Sequence, residues 1–172
     1  MPGTWLLFGS HVMRGIRDTL GTSVDGVNIP FIVEGEPFIY VSEGTSGNAY
    51  PAIVIEPTRW PSINNNYEPQ ASLQTYEANI FFIQHLPNVS TENVYRSTRD
   101  RTSILAQRIA NKQTLALANP LEGTAGASYV HYVRVTDVDM RSPEHRQLQE
   151  AGQRKVIGKV AVEVEVLTPK LG

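Results

Sequence analysis

Apolar and polar positions alternate at period two over residues 156–167, with Val160, Val162, Val164 and Val166 on one side and Lys159, Glu163 and Glu165 on the other. That pattern predicts a strand that seals a core with one face and leaves the other wet. Residues 4–20 follow a different period: Trp5, Phe8, Val12, Ile16 and Leu20 recur every three or four positions. One apolar stripe of this kind predicts an amphipathic helix, with Thr4 as N-cap, Gly21 as the stop, and Arg14, Arg17 and Asp18 facing water.

The middle of the chain mixes both patterns. Residues 27–33 are interrupted by Pro30 and read as an edge strand or extended loop. Residues 38–41 (Phe-Ile-Tyr-Val) and 52–56, the latter set between Pro51 and Pro57, read as strands. Residues 57–71 carry Pro57, Pro61, Pro69 and three consecutive asparagines, and read as an exposed loop. Residues 73–86 predict a long strand with Tyr76, Ala78, Ile80 and Phe82 on one face and Phe81 and Ile83 on the other. Apolar residues on both faces mark a central strand or one covered by a partner subunit.

Residues 92–112 predict the longest helix, with Val94, Thr98, Leu105 and Ile109, helped by Thr102, turned inward. Glu92, Arg96 and Asp100 lie four apart on its outer face, where they can pair. Residues 129–138 predict a strand, and a hairpin to the last strand is the simplest connection. Residues 139–155 between them are polar and read as a long projecting loop. The expected fold is α+β: one domain over residues 1–172, a mainly antiparallel sheet of about four to five strands, two helices packed on one face, and long loops at 57–71 and 139–155.

Composition narrows the function classes. A chain of 172 residues suits one self-sufficient core, and 41% apolar with 19% charged residues is ordinary for a globular domain. The net charge of −2 lacks the basic excess of a dedicated nucleic-acid binder. There is no cysteine, which removes disulfides, thiolate nucleophiles and cysteine-ligated zinc, and suits a reducing cytoplasm. The early apolar cluster Trp5-Leu6-Leu7-Phe8 is too short for a signal-peptide core or a membrane span.

Candidate chemistry is sparse. The histidines His11, His85, His131 and His145 have no metal-ligand spacing, so no metal site is expected; His85 and His131 read as strand residues, His11 and His145 as surface residues. Asp137 and Asp139, with Glu144 and His145 nearby, form the densest acidic cluster, suited to acid–base work or simply to a solvated turn. The glycine clusters at 44–47 and 123–126 match no phosphate loop, and no GxSxG is present. No cofactor is implied. The long helix carries Arg96, Arg99, Arg101, Arg108 and Lys112, which can grip phosphates or form a solvated, salt-bridged face.

This layout resembles the tail terminator (tail completion) proteins of long-tailed bacteriophages. The resemblance rests on the N-terminal helix from Trp5 to Leu20, the strand after Tyr50-Pro51, the long strand to Leu86, the helix from Glu92, and the closing strand pair. It covers nearly the whole chain and rests on element order, without an invariant motif. It implies a small antiparallel or mixed sheet with helices on one side, no catalytic residues, and a hexameric ring that caps the tail tube and meets the head connector. Implied partners are further copies of the chain, the tail tube protein and a neck or connector protein, with DNA passing through the lumen without specific binding and no membrane. The implied location is the tail–neck region of the virion, after assembly in the host cytoplasm. Phe81, Ile83, Arg99, Arg101 and Arg108 are the candidate subunit interface. The alternatives are another neck or connector component, a small enzyme using Asp137, Asp139 and His145, or a binding module built on the long helix.

Overall fold

A computed structural model describes residues 3–42, 50–68, 71–86, 91–110 and 129–169. Helix α1 (Gly3–Leu20) leads into a two-stranded ribbon, β1 (Ser23–Val24) and β2 (Val27–Asn28). Asp25 and Gly26, with φ of 50° and 74°, make the two-residue turn between them, a conformation that Asp-Gly adopts readily. Next come β3 (Phe31–Glu34), α2 (Pro37–Ser42), β4 (Ala52–Glu68), β5 (Ala71–His85) and α3 (Thr91–Ala110). The chain closes with β6 (Tyr129–Asp139), α4 (Pro143–Glu150) and β7 (Lys155–Pro169).

The five longer strands form one mixed sheet in the order β3-β4-β5-β7-β6. Only β3 and β4 are parallel; every other neighbouring pair is antiparallel. The α+β class and the mainly antiparallel sheet agree with the sequence pattern. The β6–β7 hairpin forms as expected, and β7 sits beside β5 along their whole length.

Helices cover both faces of the sheet, a correction to the expectation of two helices on one face. On the first face Val12, Met13, Ile16 and Leu20 of α1 and Leu105, Ala106 and Ile109 of α3 pack with Ile53, Tyr76, Ile80, Phe82 and with Val160, Val162, Val164 and Val166 of β7. On the second face Val41 of α2 and Leu148 of α4 pack with Val54, Phe81, Ile83 and Ile157. The reason lies in β5, whose two faces are both apolar and must both leave water.

Three local expectations are corrected with it. Residues 38–41 belong to a helix turn, because a four-residue apolar run carries no period of its own and Pro37 starts a helix well at its first position. Residues 57–68 are strand, paired with β5 through register shifts between Pro57 and Arg59, Arg59 and Ser62, and Asn64 and Glu68. Those irregularities accommodate prolines that would break a regular ladder. Within 139–155 lies α4, capped by buried Ser142, whose hydroxyl accepts from the His145 N–H at 3.2 Å. Residues 111–128, which include the end of the helix expected over 92–112, lie outside the described residues.

Helix α3 approaches the sheet closely at Gly158 of β7. A Cβ built there would sit 2.7 Å from Thr102 Cβ of α3. Thr102 is fully buried, and its hydroxyl donates to the Thr98 carbonyl at 2.6 Å, so it has no room to retreat. Beside it, Thr98 donates to Gln84 Oε1 at 2.6 Å and ties the helix to β5. Gly158→Val should therefore destabilise the chain by about 1–3 kcal/mol, the usual cost of overpacking. Urea unfolding measures this directly, and an unchanged midpoint would refute the close contact.

Candidate functional site

The second helix layer creates a site that the sequence pattern did not announce. α3 covers one face of the sheet and α4 the other, and their ends meet beyond the end of β6. Between them lies a half-open cleft of about 910 Å³. Tyr95, Arg96 and Arg99 line it from α3, and Arg141, His145 and Arg146 line it from α4 and the turn before it. The Tyr95 and His145 rings meet edge to face, with centroids 6.4 Å apart.

Four guanidiniums against the one carboxylate of Glu92 give the cleft a positive excess. Arg96 is partly neutralised by Glu92 at 2.9 Å, and Arg99 by Asp100 at 3.5 Å. Both pairs are exposed, so solvent screens them and their contribution to stability is small. The Arg141 guanidinium has no hydrogen-bond or ion-pair partner among the described residues. The arrangement suits carboxylate or phosphate groups, which guanidinium forks bind in bidentate fashion.

The wall formed by α4 is held by one buried and two partly buried polar contacts. The Ile157 N–H of β7 donates to His145 Nδ1 at 3.3 Å, which requires a neutral imidazole with its proton on Nε2. Burial pushes the His145 pKa below 6.5, and the Asp139 carboxylate opposes that shift as the lesser cause. Gln149 donates to the Lys155 carbonyl at 2.5 Å, and Lys159 pairs with Glu144 at 3.2 Å.

A second cationic cluster sits at the adjoining ends of β5 and β7. Lys155 Nζ lies 2.9 Å from His85 Nδ1 and 4.5 Å from the centre of the Tyr50 ring. Burial lowers the Lys155 pKa. The His85 pKa is lowered by burial first and by the Lys155 and Arg154 charges after it. Lys155 is thus an ammonium donor to a neutral imidazole, stacked over an aromatic face.

The sequence-based candidates scatter. Phe81 and Ile83 are fully buried beneath α2 and α4, which corrects their assignment to a subunit interface: their face of β5 is covered within the chain itself. Arg108 donates to the Leu20 carbonyl at 2.6 Å and the Ser23 carbonyl at 2.7 Å, and so anchors the end of α1. Arg101 is half-buried, and its Nε has no hydrogen-bond partner among the described residues. Of the five, Arg99 alone lines the cleft, with its side chain 62% exposed.

No hydrogen bond joins any two of Asp137, Asp139 and His145, although the Asp139 carboxylate acts electrostatically on the His145 ring. Asp139 accepts from the Arg141 backbone N–H at 2.7 Å as a turn former, Asp137 is exposed on β6, and His145 faces the backbone of β7. His145 is buried, a correction to its placement on the surface: α4 turns it onto β7. The side chains of His11 and His131 lie outside the described residues. Among the described residues no group of three His, Asp or Glu side chains could hold a metal ion, and no helix is long and apolar enough to cross a membrane.

One signal for the missed wall was present in the sequence. Ser142-Pro143-Glu144 is a good helix start, with a capping hydroxyl, proline at the first position and an acid in the first turn. No protein-family model and no curated protein matches this chain.

Both histidines take up a proton at lower pH in the folded chain than in the unfolded one. Their contribution to stability is therefore present above pH 6.5 and lost as the pH falls below it. Thermal melts between pH 7.5 and 5 should show a falling midpoint below about 6.5. His145→Gln should flatten that limb in part, and His85→Gln together with it should flatten it further. An unaltered slope in the double variant would refute the assignment.

Proposed function

We propose that this chain is a structural assembly protein of a long-tailed bacteriophage, a tail terminator that caps the tail tube as a ring and joins the tail to the head–neck connector. One observation carries the reading beyond element order: both lateral edges of the five-stranded sheet lack a strand partner among the described residues. One edge is β6. The other is β3, continued by β4 beyond Ile55, where pairing with β3 ends. Such edges are templates for pairing with another chain, which short strands, charges, prolines and bulges limit to chosen positions. Two different edges on one subunit allow head-to-tail contacts, and these close into a ring when the rotation between copies permits.

The helices on both faces depart from the one-sided layer that the resemblance implies. They leave the edges as the places where sheets of neighbouring copies can join, because the faces are already covered. Arg17 of α1 donates to the Ile32 carbonyl and blunts part of the β3 edge, so edge pairing is confined to what remains. The Asp139 turn bond to the Arg141 N–H and the His145 bond to the Ile157 N–H give those two side chains structural roles, which favours the assembly reading over the enzyme alternative. In this reading the partners are further copies, the tail tube protein and a neck or connector protein. The DNA passes through the lumen without specific binding, and the site of action is the tail–neck region.

Native mass across a range of concentrations tests the ring. A hexamer, or a concentration-dependent rise toward one, is the expected result. A compact monomer at high concentration that binds no tail tubes would overturn it. Binding to tail tubes rather than to emptied heads separates a terminator from a head-side connector. Val138→Lys, at an exposed position on β6, should weaken assembly at least tenfold, while fold stability stays within about 0.5 kcal/mol, as for an ordinary surface substitution.

A further inference from the structure

We propose that the cleft between α3 and α4 binds a phosphate monoester carried on a flat aromatic body, the chemistry of a nucleoside monophosphate. The phosphate meets Arg141, Arg146 and the Nε2–H of His145, and the aromatic body meets Tyr95. The assembly reading concerns the sheet edges, so this site stands or falls independently of it.

His145 supplies a buried donor aimed at the cleft. The residue is 8% exposed, and its Nδ1 accepts from the Ile157 N–H at 3.3 Å. Its proton is therefore on Nε2, which points away from the β7 backbone that Nδ1 faces. The imidazole is part of the cleft wall, so the nitrogen turned from β7 is the one offered to the cleft. Nε2 has no hydrogen-bond partner among the described residues. The Asp139 carboxylate acts on the imidazole electrostatically, but its hydrogen bond is to the Arg141 backbone N–H. A donor held in a buried wall has its direction set before any ligand arrives, which suits it to an anionic acceptor.

The charges around the cleft select the ligand. Arg96 is paired with Glu92 and Arg99 with Asp100. Arg141 and Arg146 are exposed and have no carboxylate partner among the described residues. Glu92 is the one carboxylate in the wall. Of the other acids nearby, Glu144 is held by Lys159 at 3.2 and 3.4 Å, Asp139 forms the turn before α4, and Asp137 lies on β6 outside the wall. Two uncompensated guanidiniums match a phosphate monoester, which carries a charge of about −2 near neutral pH. A single carboxylate would leave one of them unanswered.

The cleft is also larger than a phosphate needs. Its volume of about 910 Å³ is that of a site for a whole small molecule. Tyr95 is 42% exposed in the α3 wall, its side chain meeting His145 edge to face, and Met140 lines the cleft as well. An exposed aromatic side chain beside guanidiniums takes a flat aromatic group by stacking. A nucleic-acid strand suits the site less. Its internal phosphates carry one charge each, and a long polyanion meets a chain whose net charge is −2.

Calorimetry of the full chain with adenosine monophosphate, inorganic phosphate and adenosine tests the site. The nucleotide should bind at one per chain, more tightly than phosphate or adenosine alone. Arg141→Gln with Arg146→Gln, shown by circular dichroism melts to be folded, should weaken the nucleotide by about tenfold or more. Tyr95→Ala should weaken the nucleotide about fivefold or more and leave inorganic phosphate unchanged. The His145 Nε2–H resonance should move with the nucleotide and with phosphate, and stay in place with adenosine. A folded chain that binds no nucleotide overturns the proposal, and so does an arginine variant that binds it like the unaltered chain. A resonance that stays fixed on nucleotide binding overturns the assignment of the His145 N–H to the phosphate. If succinate displaces the nucleotide at equal concentration, the cleft reads charge alone and the monoester assignment fails. It fails equally if an oligonucleotide without a terminal phosphate binds more tightly than the nucleotide, because the cleft then reads a diester backbone.

Discussion

The architecture depends on the pairing of β5 with β7, two central strands that are apolar along one face and, at the end holding Phe81, Ile83 and Ile157, on both. Tyr76, Ala78, Ile80 and Phe82 face one way with Val160, Val162, Val164 and Val166, while Phe81 and Ile83 face the other way with Ile157. Such a ladder is unstable in water until both faces are covered, and each large side chain removed from water contributes about 1.5–3 kcal/mol. The first face has the long helices α1 and α3. The second has only the short helices α2 and α4, so each buried side chain there carries more of the closure, Leu148 of α4 above all.

Polar groups place these layers more finely than apolar burial can. Hydrophobic contact is non-directional and tolerates sliding, whereas a hydrogen bond to buried backbone does not. Arg108 grips two carbonyls at the end of α1, Thr98 grips Gln84, and His145 receives the N–H of Ile157. The last of these fixes α4 on β7 only while the imidazole is neutral, which makes the placement of that wall sensitive to pH.

The cleft is a product of that two-sided coverage. Arg96 and Arg99 belong to a helix on one face, and Arg141 and Arg146 to a segment on the other, some forty residues apart in sequence. Their convergence beyond the end of β6 turns two unremarkable basic stretches into one electropositive site. With the faces covered, the edges are the remaining places for sheet-to-sheet contact, and they are where exposed Phe31 and Val138 lie.

Periodicity alone determined the α+β class, the inward stripe of α3, the two faces of β5 and the β6–β7 hairpin, because each of these is a repeated local pattern that a single face of burial imposes. It also showed that Phe81 and Ile83 had to be covered, without saying by what. Tertiary structure decided that the cover is α2 and α4 of the same chain. It also turned the proline-rich stretch after Ile55 into a bulged strand and brought arginines from two segments together. The physical reason is range. A period is set by neighbours three or four residues away, whereas bulge accommodation, the choice of covering helix and the meeting of charges depend on residues that only the folded sheet brings near.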